Sequence, residues 1–78
     1  MPQPASLDRL SPGHATAITD VFGDDAVSIR LLEMGLTPGE QVRVIGRAPL
    51  GDPLEVEIRG YRLSLRHSEA ARVAVATT

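Results

Sequence analysis

Few side chains in this 78-residue sequence could do chemistry. It has two histidines, His14 and His67, and no cysteine. A protein metal centre needs three or four His, Cys, Asp or Glu ligands at spacings that a turn or helix can bring together. Asp20 and Glu69 could join the histidines, but no pair has a recognised ligand spacing. His14 and His67 therefore read as loop or surface residues, with metal sensing through one of them as the alternative. Ser11, Ser64 and Ser68 lack the Gly-x-Ser-x-Gly setting of an activated nucleophile. No paired carboxylates suggest acid–base work. The glycine-rich stretch "MGLTPGE" (34–40) follows a leucine-rich run and precedes Val-x-Val. A phosphate loop has the reverse order, strand before and helix after, and needs a lysine, of which this chain has none. The residues thus identify no catalytic group and call for no cofactor.

Charge narrows the partners. The net charge is -2, so bulk attraction to nucleic acid or anionic lipid is not expected. All eight basic residues are arginine, and Arg43, Arg47, Arg59, Arg62, Arg66 and Arg72 lie in the second half. Glu55, Glu57 and Glu69 are interleaved with them, which reads as surface ion pairing rather than a basic patch. No apolar run approaches the roughly 18 residues needed to cross a membrane. The N-terminus lacks the basic and apolar segments of a secretory signal. A cytoplasmic location is the expectation, with no direct membrane insertion.

The elements that must position these residues come next. At this length one domain, residues 1–78, is expected, with a thin aliphatic core and residues 1–6 frayed. Without disulfides or cysteine-bound metal to reinforce it, a closed or nearly closed β-barrel is attractive, because closure removes exposed edges. Residues 15–22 read as a first strand. Residues 25–34 read as a helix that Asp24 or Asp25 caps. Gly35 ends it in a left-handed conformation, Leu36 folds back on the last turn, and Pro38 prevents it resuming. "TPGE" has Pro38 and Gly39 where a type II turn wants them. Residues 41–47 form the next strand.

The segment "LEVEIRGYRLSLR" (54–66) alternates most clearly and reads as a hairpin turning at Gly60. Pairing Ile58 with Tyr61 sets Glu57 against Arg62, whereas pairing Arg59 with Arg62 would oppose like charges. The first register is expected, although arginine suits a two-residue turn poorly. Ser68 is expected to cap a short helical turn at 69–71 before a last strand at Val73 and Val75. The order is β-α-β-β-β-β: mainly β, with one or two short helices and a small five-stranded barrel.

Two features exceed what such a barrel needs. The helix is apolar around much of its circumference: Val27, Ile29, Leu31, Leu32 and Met34 leave only one polar side. Either Leu7 and Leu10 cover the surplus, or Leu31, Leu32 and Met34 meet a partner. The connection "RAPLGDP" (47–53) carries Leu50 at its centre, either as an anchor for another protein or folded over the barrel mouth.

Four segments, "LSPGHATAI" (10–18), "RLLEMGLTPGEQVRV" (30–44), "GDPLEVEIRGYRLSLR" (51–66) and "EAARVAV" (69–75), together resemble the FeoA family. That resemblance implies an SH3-like barrel with an inserted helical segment. It also implies a non-enzymatic role in Fe(II) uptake through FeoB, the membrane GTPase and permease, and leaves room for a third small Feo protein. Leu31, Leu32, Met34, Arg47 and Leu50 are the candidate contacts; Gly35, Pro38, Gly39 and Gly60 are structural turns. Arg47 is the first candidate if the protein instead stimulates FeoB's GTPase, since an arginine supplied in trans stabilises transition-state charge. A related barrel ends iron-dependent repressors of the DtxR type, and a stand-alone barrel of that kind is the weaker alternative, because a start at Met1 is expected to leave no room for their DNA-binding part.

Overall fold

The computed structural model describes residues 5–76. Its elements are β1 (Ala5–Ser6), a 3-10 turn (Leu7–Arg9), β2 (Ala15–Val21), α1 (Ala26–Glu33), β3 (Gln41–Arg47), β4 (Leu54–Ile58), β5 (Tyr61–Leu65), α2 (His67–Ala70) and β6 (Val73–Val75). The strands form one antiparallel six-stranded sheet in the order β1-β6-β2-β3-β4-β5.

The sheet curls because β2 serves two neighbours. Its first half pairs with β3, Ala15 opposite Arg43 and Ala17 opposite Gln41. Its second half pairs with β6, Ile18 opposite Val75 and Val21 opposite Val73. A register shift between Ile18 and Asp20 lets one strand change partners, and a second shift in β3 lies between Val44 and Gly46. Such irregularities bend a strand and raise its twist. The alternating residues Val42, Val44, Leu54, Val56, Ile58, Leu65, Val73 and Val75 fill the interior, joined by Leu7, Leu31 and Leu36.

Three expectations need correction. The barrel does not close, and β1 and β5 form its two edges. There is one more strand than expected: Ala5 and Ser6 are not frayed but pair with Val75 and Ala74. Residues 1–4 of the segment expected to fray lie outside the described residues. The last helix starts before Ser68, with Arg66 as its N-cap. Glu69 takes over the capping role, its Oε1 accepting from the Arg66 amide at 2.9 Å. The His67 amide donates to Asp52 Oδ1 at 3.0 Å, so one of these first donors is satisfied from within the helix and the other from the loop between β3 and β4.

Helix α1 begins and ends as its residues dictate. Asp25 is the N-cap, its Oδ1 accepting from the Ser28 amide at 3.2 Å. At the other end the Gly35 amide donates to Leu32 O and the Leu36 amide to Leu31 O, the paired bonds of a Schellman motif. Leu31 and Leu36 are both fully buried, and their contact closes the helix onto the core. The next turn is closed by Glu40 N to Thr37 O at 3.1 Å, with Gly39 at φ +93°.

The Asp25 cap also makes a pH prediction. The Arg72 guanidinium donates to Asp25 Oδ1 at 2.6 Å, and this bond, followed by that from Ser28, lowers the carboxyl pKa from 3.8 to about 2. A folded-state pKa below the unfolded one contributes stability that is present above the unfolded value and lost as pH falls through the folded one. Melting temperature is therefore expected to drop between about pH 4 and pH 2, partly through this group. The Asp25→Asn variant should show a shallower drop over the same window, measured by thermal melts. An unchanged slope would remove Asp25 from the acid response.

Candidate functional site

The exposed apolar residues stand where an interaction surface could form. In α1 only Ser28 and Leu31 point fully into the protein. Ser28 can be buried because its hydroxyl donates to Asp25 O at 2.8 Å. This narrow inner stripe leaves Ile29 55% and Leu32 40% exposed, one turn apart on the outer face. Met34 is half-buried. Leu31 is a correction: it lies at 0% exposure in the core and cannot serve as a contact. Leu7 and Leu10, one of the two alternatives for covering the helix, instead enter the core, and the 3-10 turn that carries Leu7 packs chiefly against α2 and β6. Phe22, at the end of β2, is 54% exposed; the sequence reading missed it, because a lone aromatic after a strand carries no periodic signal.

The loop between β3 and β4 projects a second apolar residue. Ala48–Gly51 closes a turn through Gly51 N to Ala48 O at 2.7 Å, and Ala48 N bonds Pro53 O at 3.0 Å. Leu50 sits at the tip of this tied loop and is 96% exposed. It does not fold over the barrel mouth.

Arg47, at the base of that loop, has a structural task. Its Nη2 donates to Asp8 O and, at 2.8 Å, to Leu10 O, fastening the N-terminal segment to β3. This corrects its reading as a contact arginine: the guanidinium is already engaged inside the molecule. A second tie fastens the same N-terminal segment to α2, His67 Nε2 lying 3.0 Å from Asp8 Oδ2, whose side chain is 9% exposed. Leu50 and His67 therefore flank one surface groove, with Arg47, Gly51 and Asp52 between them.

The other chemistry-bearing residues are dispersed. Asp20 accepts from the Val21 amide, and Glu69 is committed to the Arg66 amide and to the Arg30 guanidinium. Neither joins a histidine. Among the described residues no three His, Cys, Asp or Glu side chains come together as metal ligands. Surface ion pairing is present, but of the interleaved acids only Glu55, with Arg62, and Glu69, with Arg30, take part; Arg59 pairs with Glu40 and Arg72 with Asp25. Arg59 hydrogen-bonds Glu40 and holds that carboxyl below its usual range. The hairpin register is also the expected one, Ile58 opposite Tyr61 and Glu57 opposite Arg62. It forces Arg59 to a positive φ of +52°, beside Gly60 at +84°. Among the described residues no helix is long and apolar enough to cross a membrane.

A six-stranded curled sheet with one helix inserted after its first long strand defines a small SH3-like β domain. A zinc complex of Stenotrophomonas maltophilia FeoA, described as a procaryotic SH3 domain protein, has a TM-score of 0.82 and 36% identity; the match covers 92% of this chain and 89% of that one. The FeoA domain model matches residues 5–77, and the chain belongs to that family.

A Porphyromonas gingivalis protein described as a fusion of Fe(2+) transport protein A and the Fe(2+) transporter FeoB is 38% identical over 69 residues. The match takes in 88% of this chain but only 8% of that much longer relative. A manganese-dependent transcriptional repressor shares the fold at a TM-score of 0.87, with 18% identity, over 38% of its own length. At that identity the likeness is one of fold alone.

Proposed function

We propose that this protein is a non-enzymatic accessory module of ferrous-iron transport that docks on the cytoplasmic side of FeoB and supports Fe(II) uptake. The observation that carries this reading is the union of an FeoA segment and FeoB in one chain in the Porphyromonas gingivalis relative. Two proteins fused in one organism are held at high effective concentration, which favours a pair that works in contact. The exposure of Leu50 on a tied loop, and of Ile29 with Leu32 on the outer face of α1, supports it. A protruding aliphatic side chain whose loop is already ordered loses little entropy on binding.

Leu50→Asp should weaken association with detergent-solubilised FeoB by roughly tenfold or more, the scale of an interface anchor. Its melting temperature should stay unchanged, because nothing packs on that side chain. Titration against FeoB and a thermal melt measure the two quantities. If Leu50→Asp and Leu32→Glu both bind FeoB as tightly as the parent, docking through these residues fails. Stimulation of FeoB's GTPase by Arg47 is the less favoured mechanism, because the guanidinium would have to leave two backbone carbonyls first.

A further inference from the structure

The two edges of the sheet are treated very differently. At one edge the described part of β1 is two residues, Ala5–Ser6, and Pro4 precedes it in the sequence. Such short, proline-flanked edges resist pairing with another chain. At the other edge β5 runs five residues with no proline and no irregularity in its register with β4. Among the described residues its backbone bonds only to β4. Tyr61 is 43% exposed, and the Arg62 side chain 65% exposed.

The register shows which backbone groups this edge offers. Ile58 and Tyr61 flank a two-residue turn, so they form a hydrogen-bonded pair. Alternation then makes Val56–Leu63 and Leu54–Leu65 hydrogen-bonded pairs as well. The N–H and C=O groups of Arg62 and Ser64 are left pointing away from β4. They offer a ready template for one more strand.

We propose that a second copy of this chain supplies that strand, β5 pairing antiparallel with β5 about a two-fold axis at Leu63. Charge selects the register, and at that register a second copy supplies the complement that Arg62 needs, an uncharged Ser64 with Glu55 beside it. An axis at Arg62 would set Arg62 opposite its own copy. An axis at Ser64 would set Arg62 opposite Arg66 of the other protomer. Like charges directly opposed on a sheet are destabilising. The axis at Leu63 opposes Arg62 to Ser64 in both directions and overlaps the whole of β5. It also carries Arg62 towards Glu55 of the other protomer, the residue cross-strand from that Ser64. On the opposite face Leu63 meets Leu63, and Tyr61 meets Leu65. The paired sheet would be continuous across twelve strands, with the α1 and Leu50 surfaces of each protomer outside the contact strand.

Sedimentation equilibrium from micromolar to about 1 mM tests this directly. The unaltered protein should show a reversible monomer–dimer equilibrium. Ser64→Glu places a carboxylate opposite Arg62 at both symmetric positions and should tighten dimerisation by roughly two- to thirtyfold. Ser64→Arg should loosen it by a similar factor. The in-chain neighbour Glu55 acts on monomer and dimer alike and so does not produce these opposite signs. Ser64→Pro removes only an outward N–H and should give a folded monomer; if it fails to fold, the charge pair of variants still decides. A chain that stays monomeric at 1 mM overturns the proposal, as does a dimer indifferent to both charges. A monomer whose Ser64→Pro variant loses FeoB association also overturns it, and assigns the edge to a partner strand.

Discussion

Leu31→Ala is expected to cost about 2–5 kcal/mol and lower the melting temperature by roughly 10 °C or more, whereas Leu32→Glu, one residue away, should leave both nearly unchanged. Leu31 is at 0% exposure and closes the helix end against Leu36. Truncation removes its buried methyl groups and leaves a cavity that a thin core fills poorly. A domain of this size holds only about 4–12 kcal/mol in all, so the loss is a large fraction. Leu32 is 40% exposed, and a charge there stays solvated, within about 0.5 kcal/mol of the parent. Its expected effect is on function: a carboxylate at the centre of a docking surface is stripped of water without a partner, so FeoB association and Fe(II) uptake should be lost. Thermal melts and uptake assays on the two variants separate fold from function. Normal uptake by a folded Leu32→Glu protein would remove this helix face from the functional account.

Gly35→Ala should destabilise by about 2–3 kcal/mol, clearly more than Gly39→Ala at about 1 kcal/mol. The two glycines share a left-handed backbone, φ +100° and +93°. An alanine at either pays the same conformational cost, of order 1–2 kcal/mol. Their surroundings differ. A Cβ at Gly39 meets nothing within 4 Å, but one at Gly35 would lie 2.8 Å from the Tyr61 hydroxyl. That hydroxyl donates to Met34 O at 2.6 Å, so the added methyl also displaces a hydrogen bond that holds the helix end to β5. A double-mutant cycle checks the mechanism. In a Tyr61→Phe background the hydroxyl is gone, and Gly35→Ala should then cost about as much as Gly39→Ala. Strict additivity of the two substitutions would show that the clash contributes nothing.

The elements of this protein were legible wherever the signal is local. The strand at 41–47, the hairpin register through Glu57 and Arg62, the helix stop at Gly35 and the turn at Pro38-Gly39 follow from side-chain alternation, charge pairing and backbone sterics over a few residues. Sequence pattern also picked out Leu50, since a leucine amid proline and glycine has no local core to join. The family, too, could be recognised from four short segments in order.

Other features depended on residues far apart in the chain. Ala5 and Ser6 become a strand only because Val75 and Ala74 lie beside them. Arg47 becomes a strut only because the carbonyls of Asp8 and Leu10 fold back to it across 37 and more residues. The helical pattern could not say which of Leu31, Leu32 and Met34 is core, because the apolar arc is wider than the surface it covers. Packing against the sheet chose Leu31 and left Leu32 outside. Alternation in β5 likewise marked a strand, but the open sheet alone placed it at an edge. Local patterns set the conformation of a segment; its neighbours, and so its exposure and its work, are fixed by contacts that no short window of sequence contains.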